Sequence, residues 1–207
     1  STAVLICGAT VSYAAVVDVL QTEGVSSRGA AAAIIGAPAD VLDDAVTNLG
    51  MQGFNEAQGV TTSIAHTIDG GGSIAAGSFV DSHMIFLNTA SGNASHGGVI
   101  WTFSGDILGI MSNRAGTYES ASTFELGAPG SNYTTTFPGS GPAAPFNARG
   151  IESNNGTGLG TSDGYSLFSP NQLRVSMFVS EPGDWLRVVT VAAVPVPAAM
   201  PLLLAGL

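Results

Sequence analysis

Asp81-Ser82-His83 places the three residue types of a serine-hydrolase triad side by side. Neighbouring side chains on an extended strand point to opposite faces, so Asp81 and His83 share a side and Ser82 does not. Ser82 also lacks the Gly-x-Ser-x-Gly elbow that lifts a nucleophile clear of a sheet. His83 is therefore expected to be a hydrogen-bonded residue at a sheet edge rather than a base, and no catalytic residue is assigned. His66 and His96 bring no HExxH or His-x-His spacing, and no Asp-x-Asp-x-Asp-Gly loop occurs. Metal chemistry thus lacks a recognisable ligand set, and no cofactor is expected. Calcium is the one ion to consider, because Asp69, Asp163 and Asp184 lie in Gly-rich turns. Turn chemistry alone accounts for them, since Asp side chains bond their own backbone. A sugar-stacking platform would draw on Trp185, Tyr165 and Tyr118, whereas strand alternation assigns Trp101 to the core.

Composition narrows the field further. Five arginines and no lysine stand against fifteen acids in 207 residues, a net charge of −10. Nucleic acid and anionic lipid both need a basic surface, so neither is an expected partner. The only cysteine, Cys7, lies in the N-terminal apolar run, so the rest of the chain has no disulfide and no thiolate. Gly reaches 28 residues while charged residues make up 10%. That mixture suits short strands joined by many turns.

The elements that must carry these side chains are organised around Asp81 to Met111. Asp81–Asn88, Val99–Phe103 and Ile107–Met111 are short apolar runs separated by turn residues, the pattern of consecutive strands in a buried sheet. Upstream, Ala15–Leu20 and Val60–Ile68 suit strands, and Asp69-Gly70-Gly71-Gly72 suits a tight turn with positive φ. Asp40 can cap a helix over Val41–Asn48, with Leu42, Ala45 and Val46 on one face. Residues 127–164 read as long loops around a short strand near Arg149-Gly150-Ile151. Val175, Met177 and Val179 alternate with Ser176 and Phe178, which predicts an inner apolar face and a wetter outer one. Glu181-Pro182-Gly183-Asp184 suits a type II turn, so residues 175–191 are expected to form a hairpin. The fold class expected is all-β: a single antiparallel sandwich, jelly-roll-like, with one short helix near residues 40–48.

The two ends differ from this domain. Residues 2–11 have the length of a signal-peptide apolar core, and Ser12-Tyr13-Ala14 supplies small residues for cleavage, so 1–14 is expected to be a signal-peptide remnant. The sandwich then spans 15–192, followed by a Pro-rich hinge and apolar segment over 193–207. Val194, Pro195, Val196, Pro197 and Ala198 resemble the VPLPA variant of the PEP-CTERM sorting signal, with Val196 in the usual Leu position. The apolar run Pro201–Leu207 is seven residues, whereas a bilayer span needs about 20. Val80–Asn88 and Val175–Thr190 are likewise similar to segments of uncharacterised exported proteins carrying that signal.

The resemblance implies export from a Gram-negative cell, handling by an exosortase at the inner membrane, and association with exopolysaccharide. The expected function is that of a non-catalytic cell-envelope or extracellular-matrix protein. A carbohydrate-binding module is the alternative, with a secreted hydrolase behind it.

Overall fold

The computed structural model describes residues 15–42, 48–89, 91–133, 146, 149–151, 163–180 and 183–193. Twelve strands run through them: β1 (Val16–Gln21), β2 (Ala33–Ile34), β3 (Gln52–Asn55), β4 (Val60–Thr61), β5 (His66–Thr67), β6 (Ser73–Ile74), β7 (Phe79–Leu87), β8 (Ala94–Phe103), β9 (Ile107–Met111), β10 (Gly164–Ser169), β11 (Gln172–Val179) and β12 (Asp184–Val191). A 3₁₀ turn covers Asp69–Gly71, and one α-helix, α1, covers Thr117–Leu126.

The strands form a sandwich, as the turn-punctuated apolar runs lead one to expect. Sheet A has the order β1-β8-β11-β10, and sheet B has β2-β3-β7-β12-β9 with β4 added along β7. Pairing is antiparallel except for β2 beside β3. Every second residue of the long strands turns inward to one apolar core. Val99, Trp101 and Phe103 of β8 and Leu173, Val175, Met177 and Val179 of β11 meet Ile85 and Leu87 of β7 and Leu186 and Val188 of β12. The layers approach closely where Trp101 lies over Gly53 of β3: a Cβ there would sit 2.5 Å from the indole ring. Any side chain at 53 would have to push the tryptophan aside.

Sheet B is covered on both faces, and this explains why seven of the eight β12 residues are buried. Its outer face carries Phe54, Met84, Phe86 and Trp185 under Tyr133 and Phe146. Further along, Val80, Met111 and Val189 pack under Leu126 of α1.

Two expectations about connectivity are corrected. The run from Asp81 to Met111 does not stay in one sheet, since β7 and β9 belong to sheet B and β8 to sheet A. The Ser104-Gly105-Asp106 turn bonds outward: Ser104 N–H to Ala15 O, Ile107 N–H to Pro170 O, and Val191 N–H to Asp106 O. Its backbone groups are tied to three other segments, so the chain crosses the sandwich instead of folding back. Residues 175–191 are likewise no hairpin, because β11 pairs with β8 and β10 while β12 pairs with β7 and β9. Gly183 does take the positive φ expected of it, +81°, while Glu181 and Pro182 lie outside the described residues.

Other expectations meet mixed outcomes. The stretch Val60–Ile68 breaks into β4 and β5. Arg149–Ile151 forms no strand. Asp40 accepts the Leu42 N–H at 2.8 Å, as a capping residue does, but its backbone bridges Asn132, and residues 43–47 of the expected helix lie outside the described residues. The helix that is described, α1, falls where none was expected. Ser176 is buried, not wet: its Oγ accepts the Gly98 N–H at 3.0 Å. The register slips there, with Val175 opposite Val99 but Met177 opposite His96. Gly98 takes the positive φ of +61° that such a bulge in β8 demands. Thr22 and Glu23 close over this point and shut out water.

Candidate functional site

An arginine in the middle of an apolar strand is costly to bury unless every donor finds an acceptor. Arg187 of β12 meets that condition. Its Nε and Nη2 donate to Glu56 Oε2 and Oε1 at 2.7 and 2.8 Å. Nη1 donates to Glu119 O at 2.9 Å and Ser122 Oγ at 2.6 Å, and Nη2 also reaches Thr123 Oγ1 at 3.1 Å. All five N–H bonds of the guanidinium are thereby engaged. Glu56 is filled in turn by Ser82 Oγ at 2.7 Å and Tyr133 Oη at 2.7 Å. Burial opposes the guanidinium charge, but the Glu56 carboxylate outweighs it and raises the Arg187 pKa. Burial, then the Glu56 charge, raises the Tyr133 phenol well above its ordinary value.

Helix α1 lies over this ion pair. Its buried residues Glu119, Ser122 and Leu126 have i, i+3, i+7 spacing, so one stripe faces the sheet. Asn113 orders the first turn, accepting the Tyr118 N–H at 3.0 Å. Gly127 closes the last by donating to Thr123 O. Burial pushes the Glu119 carboxyl up to about 8.

Beside the helix runs a groove of about 630 Å³, with Gln58 and Val60 on one side and Thr123, Phe124 and Glu125 on the other. Phe124 is 70% exposed, and its ring lies 6.3 Å from that of His66. His66 Nε2 sits 2.6 Å from Glu125 Oε2, and the Ser63 N–H donates to Glu125 Oε1 at 2.6 Å. Burial works against the Glu125 charge, but Ser63 and His66 outweigh it and hold the carboxyl below its ordinary range. The groove thus combines an exposed aromatic face with a fixed carboxylate. The side-chain carbonyl of Gln58 has no hydrogen-bond partner among the described residues.

The residues singled out from sequence are scattered. Trp185 is fully buried, between Phe146, at 5.1 Å, and the Arg149 guanidinium, 4.0 Å from its ring centre. It presents no face to a ligand from solvent, and this corrects its candidacy as a stacking residue. Tyr165 is half-buried and donates to Asp69 Oδ2 at 2.9 Å. Tyr118 packs against the cluster under α1. Asp69 also accepts from Ser112 N and Oγ, and Asp163 accepts the Phe178 N–H. Asp184 is buried at the start of β12. Among the described residues no three His, Cys, Asp or Glu side chains are placed to hold a metal ion. The residues Val194, Pro195, Val196, Pro197 and Ala198 lie outside those described.

Asp81, Ser82 and His83 diverge as strand alternation requires. Ser82 turns outward to Glu56 and His83 inward, its ring 4.9 Å from Phe103. His83 is not at a sheet edge, since β7 runs between β3 and β12. Asn55 Oδ1 already accepts the Val16 N–H, so His83 Nδ1, 2.9 Å away, must donate to it. Nε2 is then left to accept from Thr190 Oγ1 at 3.1 Å. This neutral tautomer agrees with burial lowering the pKa to about 3. His96 is held similarly: Nδ1 accepts the Met51 N–H and Nε2 meets Gln21 Oε1, each at 3.0 Å. The chain does contain one Gly-x-Ser-x-Gly match, at residues 160–164. It leads into a strand, β10, and not into the helix a nucleophile elbow needs, and Ser162 lies outside the described residues.

Compared with protein-family models, curated proteins and solved structures, the chain has no significant match. Sequence reasoning missed Glu56, Glu119 and Arg187. The available signal was Arg187 itself, a charged residue inside Trp185–Val191 in a chain with only five arginines.

Proposed function

We propose that the chain is an exported, non-catalytic protein of the cell envelope or extracellular matrix, sorted by its Val194–Ala198 motif and associated with exopolysaccharide. The observation that carries this reading is where the reactive side chains are directed. His83, His96, Ser82, Glu56 and Arg187 are all buried and hold strands or loops to one another. A hydrolase needs a nucleophile and a base converging at a surface to which substrate has access. Here Ser82 and His83 leave opposite faces of one buried strand. The test is fractionation of a Gram-negative host that has an exosortase, expressing the full chain with an internal tag. Mature protein lacking both ends should appear at the surface or in the medium. Uncleaved protein confined to the cytoplasm would sink the proposal.

The groove beside Phe124 favours a second reading, a carbohydrate-binding module. A sugar ring offers an apolar C–H face to an aromatic and hydroxyl donors to an acceptor such as Glu125. With the Glu125 carboxylate lining it, the groove suits neutral sugars better than acidic ones. On a glycan array, reproducible neutral-sugar signals lost in Phe124→Ala would establish it, and a blank array would dismiss it.

A further inference from the structure

Neither carboxyl oxygen of Glu119 has a hydrogen-bond partner among the described residues beyond the residue's own backbone N–H, and the residue is fully buried. Charged and titratable groups face it from each packed element. Arg187 comes from β12, Glu56 from the segment after β3, Asp69 from the 3₁₀ turn, and Tyr133 from the segment after α1. On its own helix are Tyr118 and Glu125, the latter held by His66 of β5. Among the described residues Arg187 is the one arginine of the network, and it has no donor left: its bonds go to Glu56, Ser122, Thr123 and the backbone of Glu119. Arg187 and Glu56 cancel one another. A carboxylate at 119 would add an uncompensated buried charge, whereas a neutral carboxyl would not.

From this geometry we infer that α1 is a proton-coupled latch, seated on sheet B with the Glu119 carboxyl neutral and releasing that proton when it lifts at near-neutral pH. The inference goes beyond the export reading and does not depend on it. In the seated helix burial holds the carboxyl up to about 8, while in water it would titrate at its ordinary 4.5. Between these values the lifted state has lost a proton that the seated state keeps, so lifting becomes about tenfold more favourable per pH unit. The latch is tightest in acid and loosens towards neutrality, uncovering Arg187, Glu56 and the wall of the groove.

Hydrogen exchange on the full chain from pH 5 to pH 8, corrected for the intrinsic pH dependence of amide exchange, measures the lifting directly. In the wild type the opening constant of amides 117–126 should rise about tenfold per pH unit while β7 and β12 stay protected. Glu119→Gln should abolish that slope. A slope unchanged in Glu119→Gln, or no slope in the wild type, overturns the latch. Should the variant fail to fold, carboxyl-carbon NMR of wild-type Glu119 decides alone: a midpoint near 8 supports the latch and one near 4.5 overturns it.

Discussion

The two faces of sheet B are held in different ways. Inward, Ile85, Leu87, Leu186 and Val188 meet sheet A through apolar contact. Outward, between the apolar Phe86 and Trp185 at one end and Val80 and Val189 at the other, the same two strands send Ser82 and Arg187 into a network with Glu56, Tyr133, Ser122 and Thr123. An apolar face tolerates imperfect neighbours, because burial energy scales with area and has no direction. The polar face does not, because each missing partner leaves a desolvated charge. Damage of the same size in side-chain volume should therefore cost more in that network than among the inward apolar residues.

The largest effect expected is from Arg187→Ala. It strands Glu56 as a buried, unpaired carboxylate, a loss of roughly 3–5 kcal/mol against a total of about 5–15 kcal/mol. Leu186→Ala, the neighbouring inward residue, should lose roughly 2–5 kcal/mol through its cavity, nearer the low end if sheet A can settle. Urea unfolding compares the two. The double variant Arg187→Met with Glu56→Gln sharpens the contrast, since it removes both charges and should recover much of the loss. If it is no more stable than Arg187→Ala, charge pairing is not what holds the outer face.

Sheet A extends the same comparison. Met177→Asp buries a carboxylate in the core and should unfold the domain or nearly so. Ser176→Asp should be almost as damaging, because that position is closed by Gly98 and the Thr22–Glu23 segment. Phe178→Asp, at a position 40% exposed, should cost less than about 1 kcal/mol. Melting temperatures rank the three. A mild Ser176→Asp would mean that the bulge admits water and the outer face of sheet A is wet, as simple alternation suggests.

The faces also titrate in opposite senses. His83, on the inner face, stays neutral in the fold down to about pH 3, while the unfolded chain takes up a proton near 6.5. Its stabilising contribution is whole above 6.5 and is lost as pH falls towards 3. Glu119, on the outer face, favours the fold below 4.5 and loses that contribution as pH rises to about 8. From these two groups alone, stability should be level between 4.5 and 6.5 and fall on either side, by up to about 1.4 kcal/mol per pH unit. Unfolding free energies across that range test it. In His83→Gln the acid limb should flatten and the alkaline limb should remain.

What the sequence disclosed divides along the same line. Alternation identified the inward residues of β8 and β11 correctly, since Val99, Trp101, Phe103, Val175, Met177 and Val179 are all buried. Such a period says which face a residue takes, but not which strand lies beside it. For that reason the crossings at Ser104–Asp106 and before Asp184 look in the sequence like turns within one sheet. Helix α1 was hidden for another reason. Ser120, Ser122, Thr117 and Thr123 are weak helix formers, and two of the three residues facing the sheet, Glu119 and Ser122, are polar. A search for apolar stripes passes over a helix whose seat is a hydrogen-bond network. The candidate site follows suit: Trp185, which a turn-side position marks for stacking, is core, while Phe124 is exposed on a helix that apolar periodicity does not reveal.

The smallest effect expected separates the two sides of that helix. Phe124 is the larger residue, but most of its ring is in water, and its contact with His66 is a tilted one at 6.3 Å. Phe124→Ala should change stability by less than about 0.5 kcal/mol, as an exposed substitution does. Leu126, two positions on and fully buried against Val80, Met111 and Val189, should lose roughly 2–5 kcal/mol on the same change. Local exchange protection of α1 makes the comparison more discriminating than global melting. Leu126→Ala should loosen the helix at every pH, because it removes an apolar contact that carries no proton. Phe124→Ala should leave the protection and its pH slope as they are. A Phe124→Ala variant that loosens α1 would show that the ring packs over the seat, and the groove would then be part of the helix's own support rather than a surface free to take a ligand.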